Sequence, residues 1–175
     1  MSEQQTIFDG MLKLHVSEGA QALFDAAVKV LPEEAKPIRR EVRHVSLIHQ
    51  KHLKPWRKEL KAAFKAGSLK EFPAPLFMDD PIKVVRDERT SWILVASNQV
   101  ELRKHCKEFL AVLGEEPKDT RRVYHVTIAN LTGSRKDSVG DVDWMEVGRC
   151  GWCGSDAGDD PVVYDWPRCL DCGGS

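Results

Sequence analysis

The chain has 175 residues, 42% of them hydrophobic and 30% charged, with a formal net charge of -1; this is the composition of a globular chain with one main domain and excludes a disordered polymer. Between Cys150 and Ser175 five acids face the lone base Arg168, so the rest of the chain is only weakly positive, far short of the basic footprint of a duplex-DNA binder. No run approaches the roughly 18 apolar residues that span a bilayer, and Met1 to Asp9 lacks the apolar core of a signal peptide, so a cytoplasmic location without a membrane partner is expected.

In chain order, Met11 to Val16 predicts a first strand. Glu18 to Leu31 predicts a helix, with Ala22, Leu23, Ala26, Ala27, Val30 and Leu31 at helical period before Pro32. Val42 to His49 predicts a second strand, Val45, Leu47 and His49 on one side and His44, Ser46 and Ile48 on the other. Pro55 to Ala66 predicts a helix opened by Pro55, striped with Trp56, Leu60, Ala63 and Phe64, and stopped at Gly67. A proline-rich loop from Phe72 leads to a strand at Ile82 to Val85, and Ser91 to Ser97 is an apolar strand of the buried type. Val100 to Leu113 predicts a helix ended by Gly114, Arg122 to Leu131 the last main strand, and Val139 to Val147 a candidate edge strand. The pattern is α+β.

Two strands carry the same short pattern: His44-Val45-Ser46 and His125-Val126-Thr127. Strand alternation puts each imidazole and its hydroxyl on one face. Paired imidazoles suit phosphodiester cleavage, since one takes the proton of the attacking oxygen while the other protonates the leaving oxygen, both working near neutral pH and without a catalytic metal. The hydroxyls can hold phosphoryl oxygens as charge shifts. His15-Val16-Ser17 fits the same pattern, so the motif alone does not select two histidines from three.

RHVSLI at Arg43 to Ile48 and YHVTIANL at Tyr124 to Leu131, each preceded by a helix, resemble the two-histidine (2H) phosphoesterase superfamily of LigT-like RNA ligases and cyclic phosphodiesterases. The resemblance covers Met11 to Leu131 and implies a bilobal fold of antiparallel sheets with flanking helices. It places His44, Ser46, His125 and Thr127 in the catalytic roles and leaves His15 outside them. Ser46 stands where Thr is common, and Asn130 where many LigT-like members carry Arg, which counts against RNA ends as substrate. The layout also resembles the phage nucleases that cleave cyclic di- and trinucleotide immune signals (anti-CBASS). That likeness implies attack by a ribose 2′-hydroxyl, a linear product with a cyclic phosphate end, and, for a phage chain, the host cytoplasm.

Around the motifs, Trp144, beside Asp143 and Glu146, is the candidate for stacking a base, and Lys51 could draw in a phosphate. Trp56 and Trp92 fit the core, as does Cys106; His49 and His105 have no evident partner.

Cys150-Gly-Trp-Cys153 and Cys169-Leu-Asp-Cys172 enclose 15 residues, the spacing of a four-thiolate structural zinc site. Pro161 to Trp166 supplies a hairpin strand between the two turns, so residues 148–175 are expected to fold as a zinc ribbon around their metal, beside a 2H-like domain at 1–147. The ribbon's acidity argues for packing or docking a protein rather than holding nucleic acid. The expected partner of the main domain is a small nucleotide, foremost a cyclic oligonucleotide; an RNA end (2′,3′-cyclic phosphodiesterase or ligase) and a non-catalytic binding module are the alternatives.

Overall fold

A computed structural model describes residues 6–78, 80–116 and 122–147, of 144 and 145 the backbone alone. The expected zinc ribbon, with Cys150, Cys153, Cys169 and Cys172, lies outside the described residues. Among the described residues seven strands form one antiparallel sheet: β1 (Thr6–Phe8), β2 (Leu12–His15), β3 (Lys36–Pro37), β4 (His44–Ile48), β5 (Ile82–Arg86), β6 (Arg89–Val95) and β7 (His125–Asn130). Their order is β1-β2-β4-β7-β6-β5, with β3 beside the far end of β7. The strands bearing the two histidine motifs are therefore the innermost pair. Among the described residues five α-helices accompany them: α1 (Glu18–Lys29), α2 (Gln50–Leu53), α3 (Arg57–Lys65), α4 (Gln99–Val112) and α5 (Trp144–Val147). No described helix is long and apolar enough to cross a membrane. The chain is thus α+β with an antiparallel sheet.

Ser17 explains the surplus H-x-S match. It caps α1, its hydroxyl accepting from the Ala20 N–H at 3.2 Å, while Glu18 and Lys29 occupy the helix ends where the macrodipole favours their signs. Phe24 of α1 is fully buried and meets Phe77 edge to face at 4.9 Å; truncating it to Ala would cost about 3–5 kcal/mol. Helices α1, α3 and α4 supply Phe24, Leu60, Leu102 and Phe109 to one core with Leu94, Val45, Val126 and Ile128 of the sheet.

Register decides which residues face away from that core. Val45 pairs with Val126, and Val126 also with Leu94, so these three point into the core and their neighbours His44, Ser46, His125 and Thr127 point to the opposite face. Ile48, expected beside His44, is buried in the core with Leu47, because the β2–β4 register shifts at Leu12/Lys13.

The segment 139–147 is not the expected edge strand. Val139, Val142 and Val147 fold inward onto Val84, Ile93, Val95 and Val123 as a second, smaller core, and Asp141 takes a positive φ of 43° that breaks extended geometry. Only Asp143 bridges to Arg122 before α5 begins. This cap walls the open face on the β6 side.

Candidate active site

The sheet face opposite the main core holds a cleft of about 180 Å³ lined by His44, Ser46, His125 and Thr127. The four residues with expected catalytic roles thus share one cavity. Between β3 and β4 a 3-10 turn, Arg40–Val42, interrupts the ladder, and β4 touches β7 at the single pair Val45↔Val126. Arg43 braces the turn from beneath. It is buried, and donates to the Ile38 carbonyl at 3.0 Å, to Gln21 at 3.1 Å and to the Asp25 carboxylate at 2.9 Å.

Each imidazole is held the same way. His44 Nδ1 donates to the Val42 carbonyl at 2.9 Å, and His125 Nδ1 to the Val123 carbonyl at 2.9 Å. Those bonds select the tautomer whose Nε2 carries the lone pair. Ser46 donates its hydroxyl to His44 Nε2 at 3.1 Å. Burial lowers the His44 pKa to about 4, with the charges of Arg135 and Lys13 adding to it against the Val42 bond. Burial likewise lowers His125 to about 4, reinforced by Arg122 and His44. Both rings are therefore neutral bases at pH 7.

Two arginines line the cleft that the motif reading did not select. Arg122 is 6% exposed; it donates to the Leu47 carbonyl at 3.0 Å and the Ser46 carbonyl at 2.6 Å, and its guanidinium lies 5.8 Å from the Tyr124 ring centre. It supplies to β4 the bonds that β7 does not. Arg135 is exposed at the cleft and makes no ion pair among the described residues. Its loop is built by Asn130, fully buried, whose amide donates to the Ser134 carbonyl (2.7 Å) and Ser138 hydroxyl (3.0 Å) while its oxygen accepts from the N–H groups of Thr132 (3.0 Å) and Gly133 (2.6 Å). Asn130 thus organises the loop that carries an arginine to the site. The available signal was an arginine inside the Gly-Ser turn that follows the second motif.

His49, with no evident partner in sequence, also lines the cleft and pairs through Nε2 with the Asp141 carboxylate. That contact, together with the charges of Arg122 and Lys51, holds the Asp141 carboxyl down at about 2. Lys51 itself is exposed on α2 and is not among the cleft-lining residues. The backbone of Trp144 opens α5; the expected stacking role concerns a side chain outside the described residues. His15 sits directly opposite His44 in register yet does not line the cleft. Trp92 is buried, Trp56 packs against the core, and burial pushes the Cys106 thiol up to about 11, consistent with packing for all three. Among the described residues no group of three or more His, Cys, Asp or Glu side chains stands ready for a metal ion.

No protein-family model, no curated protein and no solved structure matches this chain.

Proposed function

We propose that this chain is a metal-independent phosphodiesterase of the two-histidine (2H) type, with cyclic oligonucleotides as its leading substrate class. The observation that carries the reading is the pairing of His44 and His125 on adjacent strands of one cleft, each fixed through Nδ1 so that Nε2 is the working nitrogen. A three-plus-three arrangement of strands about the β4–β7 seam supports a bilobal 2H architecture.

In the proposed reaction one Nε2 takes the proton of a ribose 2′-hydroxyl as its oxygen bonds to phosphorus. The bond from phosphorus to the leaving ribose oxygen breaks, and that oxygen takes a proton from the other imidazole, leaving a 2′,3′-cyclic phosphate end. Ser46 and Thr127 hold the non-bridging oxygens, Ser46 releasing His44 to do so, and Arg135 with Arg122 offsets the negative charge that builds on those oxygens. The second imidazole must arrive protonated. An incoming phosphodiester anion favours this by raising the pKa that burial had lowered. The cleft is smaller than the roughly 300 Å³ at which ordinary ligand pockets begin, so it suits the phosphodiester and its sugar, the remainder lying over the rim.

The test is hydrolysis of cyclic di- and trinucleotides and of 2′,3′-cyclic nucleotides, with brief chelation, comparing wild type with His44→Ala and His125→Ala. Each substitution is expected to lower the rate about 10²–10⁴-fold; wild-type protein inert on every substrate would sink the enzyme. The neutral state of both rings favours one other reading, a nucleotide-binding module without catalysis, for which the same variants would bind ligand yet change no rate. For the tail we propose a structural zinc on Cys150, Cys153, Cys169 and Cys172. Metal analysis of the same preparation is expected to give one zinc per chain, and a zinc-free folded protein would overturn it.

A further inference from the structure

Asp141 is the only carboxylate among the described residues lining the cleft. A carboxylate beside a phosphate site repels the phosphate, yet the fold invests in keeping this one there. Its backbone sits at a φ of 43°, sparsely populated for residues other than Gly, Asn and Asp. Arg86 secures that conformation by donating to the Gly140 carbonyl at 2.8 Å and the Asp141 carbonyl at 2.9 Å, and is itself gripped by Glu146. A positive-φ turn that Asp tolerates, clamped at two successive carbonyls by one arginine, fixes where this side chain stands. One carboxylate oxygen, Oδ1, receives His49 Nε2 and lies 3.6 Å from Arg122 Nε. The other, Oδ2, makes no hydrogen bond among the described residues, and the side chain is 38% exposed. The carboxylate is ionised at any working pH, so what it offers a ligand is an acceptor and never a proton.

We propose that Asp141, oriented by His49, is a substrate-reading subsite that accepts a hydrogen bond from a neutral donor on the nucleoside attached to the phosphate. The donor is a nucleobase N–H or a ribose hydroxyl, and the site takes nucleoside phosphates in preference to inorganic phosphate or simple alkyl esters. This rests on the cleft being a phosphate site, and it adds the part of the substrate beyond phosphorus.

Asp141→Asn is the informative variant, because Asn tolerates positive φ and keeps the loop while replacing the charge. Isothermal titration of wild type and D141N with inorganic phosphate, the four ribonucleoside 3′-monophosphates and their 2′-deoxy counterparts reads the subsite without requiring turnover. The substitution is expected to weaken nucleotide binding about tenfold or more while phosphate binding holds or tightens. A loss confined to the ribo series assigns the donor to the 2′-hydroxyl, and a loss that varies with the base assigns it to the base edge. Nucleotides that bind wild type no better than phosphate, or a variant that loses phosphate and nucleotide alike, overturn the subsite and leave the two-histidine reading standing. Wild type that binds neither phosphate nor any of the nucleotides overturns both.

Discussion

Two histidines held neutral at one site tie acidity to stability. The folded pKa of each ring, about 4, lies below its ordinary value of 6.5, so between those values the unfolded chain binds more protons than the folded one. Their contribution is fully present above about pH 6.5 and is lost as pH falls toward 4. Asp141, held at about 2 against an ordinary 3.8, gives way only below that window. At about 1.4 kcal/mol per unit, discounted for solvent at the cleft mouth, each ring is worth about 2 kcal/mol. The melting temperature is therefore expected to drop between pH 6.5 and 4, and a His44→Gln/His125→Gln variant to lose most of that drop while keeping the steeper fall below pH 4. A variant as acid-sensitive as wild type in the upper window would show that the rings are not desolvated as the cleft implies. The two histidines and their hydroxyls were legible in sequence because strand alternation is local. Arg122, Arg135 and the His49–Asp141 pair were not, since what brings them to the site is the 3-10 turn before β4 and the folded segment after β7, which have no period.

At the scale of elements, legibility follows length. The helices at 18–29 and 99–112 and the strands β4, β6 and β7 each carry enough residues to display a period. β1 and β3, of three and two residues, display none and exist because β2 and β7 offer edges to pair with. The loop after β7 was legible as a Gly-Ser turn but not as a device for presenting Arg135. Its stiffness comes from one buried amide, and that can be measured. Asn130→Ala would leave four partner groups of the 132–138 loop without their side-chain bond, at about 2–3 kcal/mol of stability, read as a lower urea midpoint with an unchanged slope. Asn130→Asp, which keeps the acceptor and loses the two donations, is expected to fall between. If Ala and wild type unfold together, the loop is held by something other than Asn130.

For the molecule as a whole, the consequential feature is the seam on which the site sits. β1, β2 and β4 form one half of the sheet and β7, β6 and β5 the other; within the halves the ladders are long, while across the seam β4 and β7 share one pair. A wider ladder would close the space between the two histidine faces, so the gap that makes the cleft is also the sheet's weakest line of backbone bonding. Arg122 stitches it, spending two donors on the carbonyls of Ser46 and Leu47 while its plane rests beside Tyr124. Charged hydrogen bonds of this kind are worth about 1.5–3 kcal/mol each, comparable with a good part of the stability of a domain this size. Arg122→Met keeps much of the volume and removes both donors. Local opening tracks the bonds lost, so the amides of Val45 to Ile48 on β4 are expected to exchange with solvent about tenfold or more faster in the variant, and those of Ile93 to Val95 on β6 to rise only with global stability. Uniform acceleration of both strands would mean that Arg122 supports the fold at large and that the two halves are joined through the core beneath Val45 and Val126 instead.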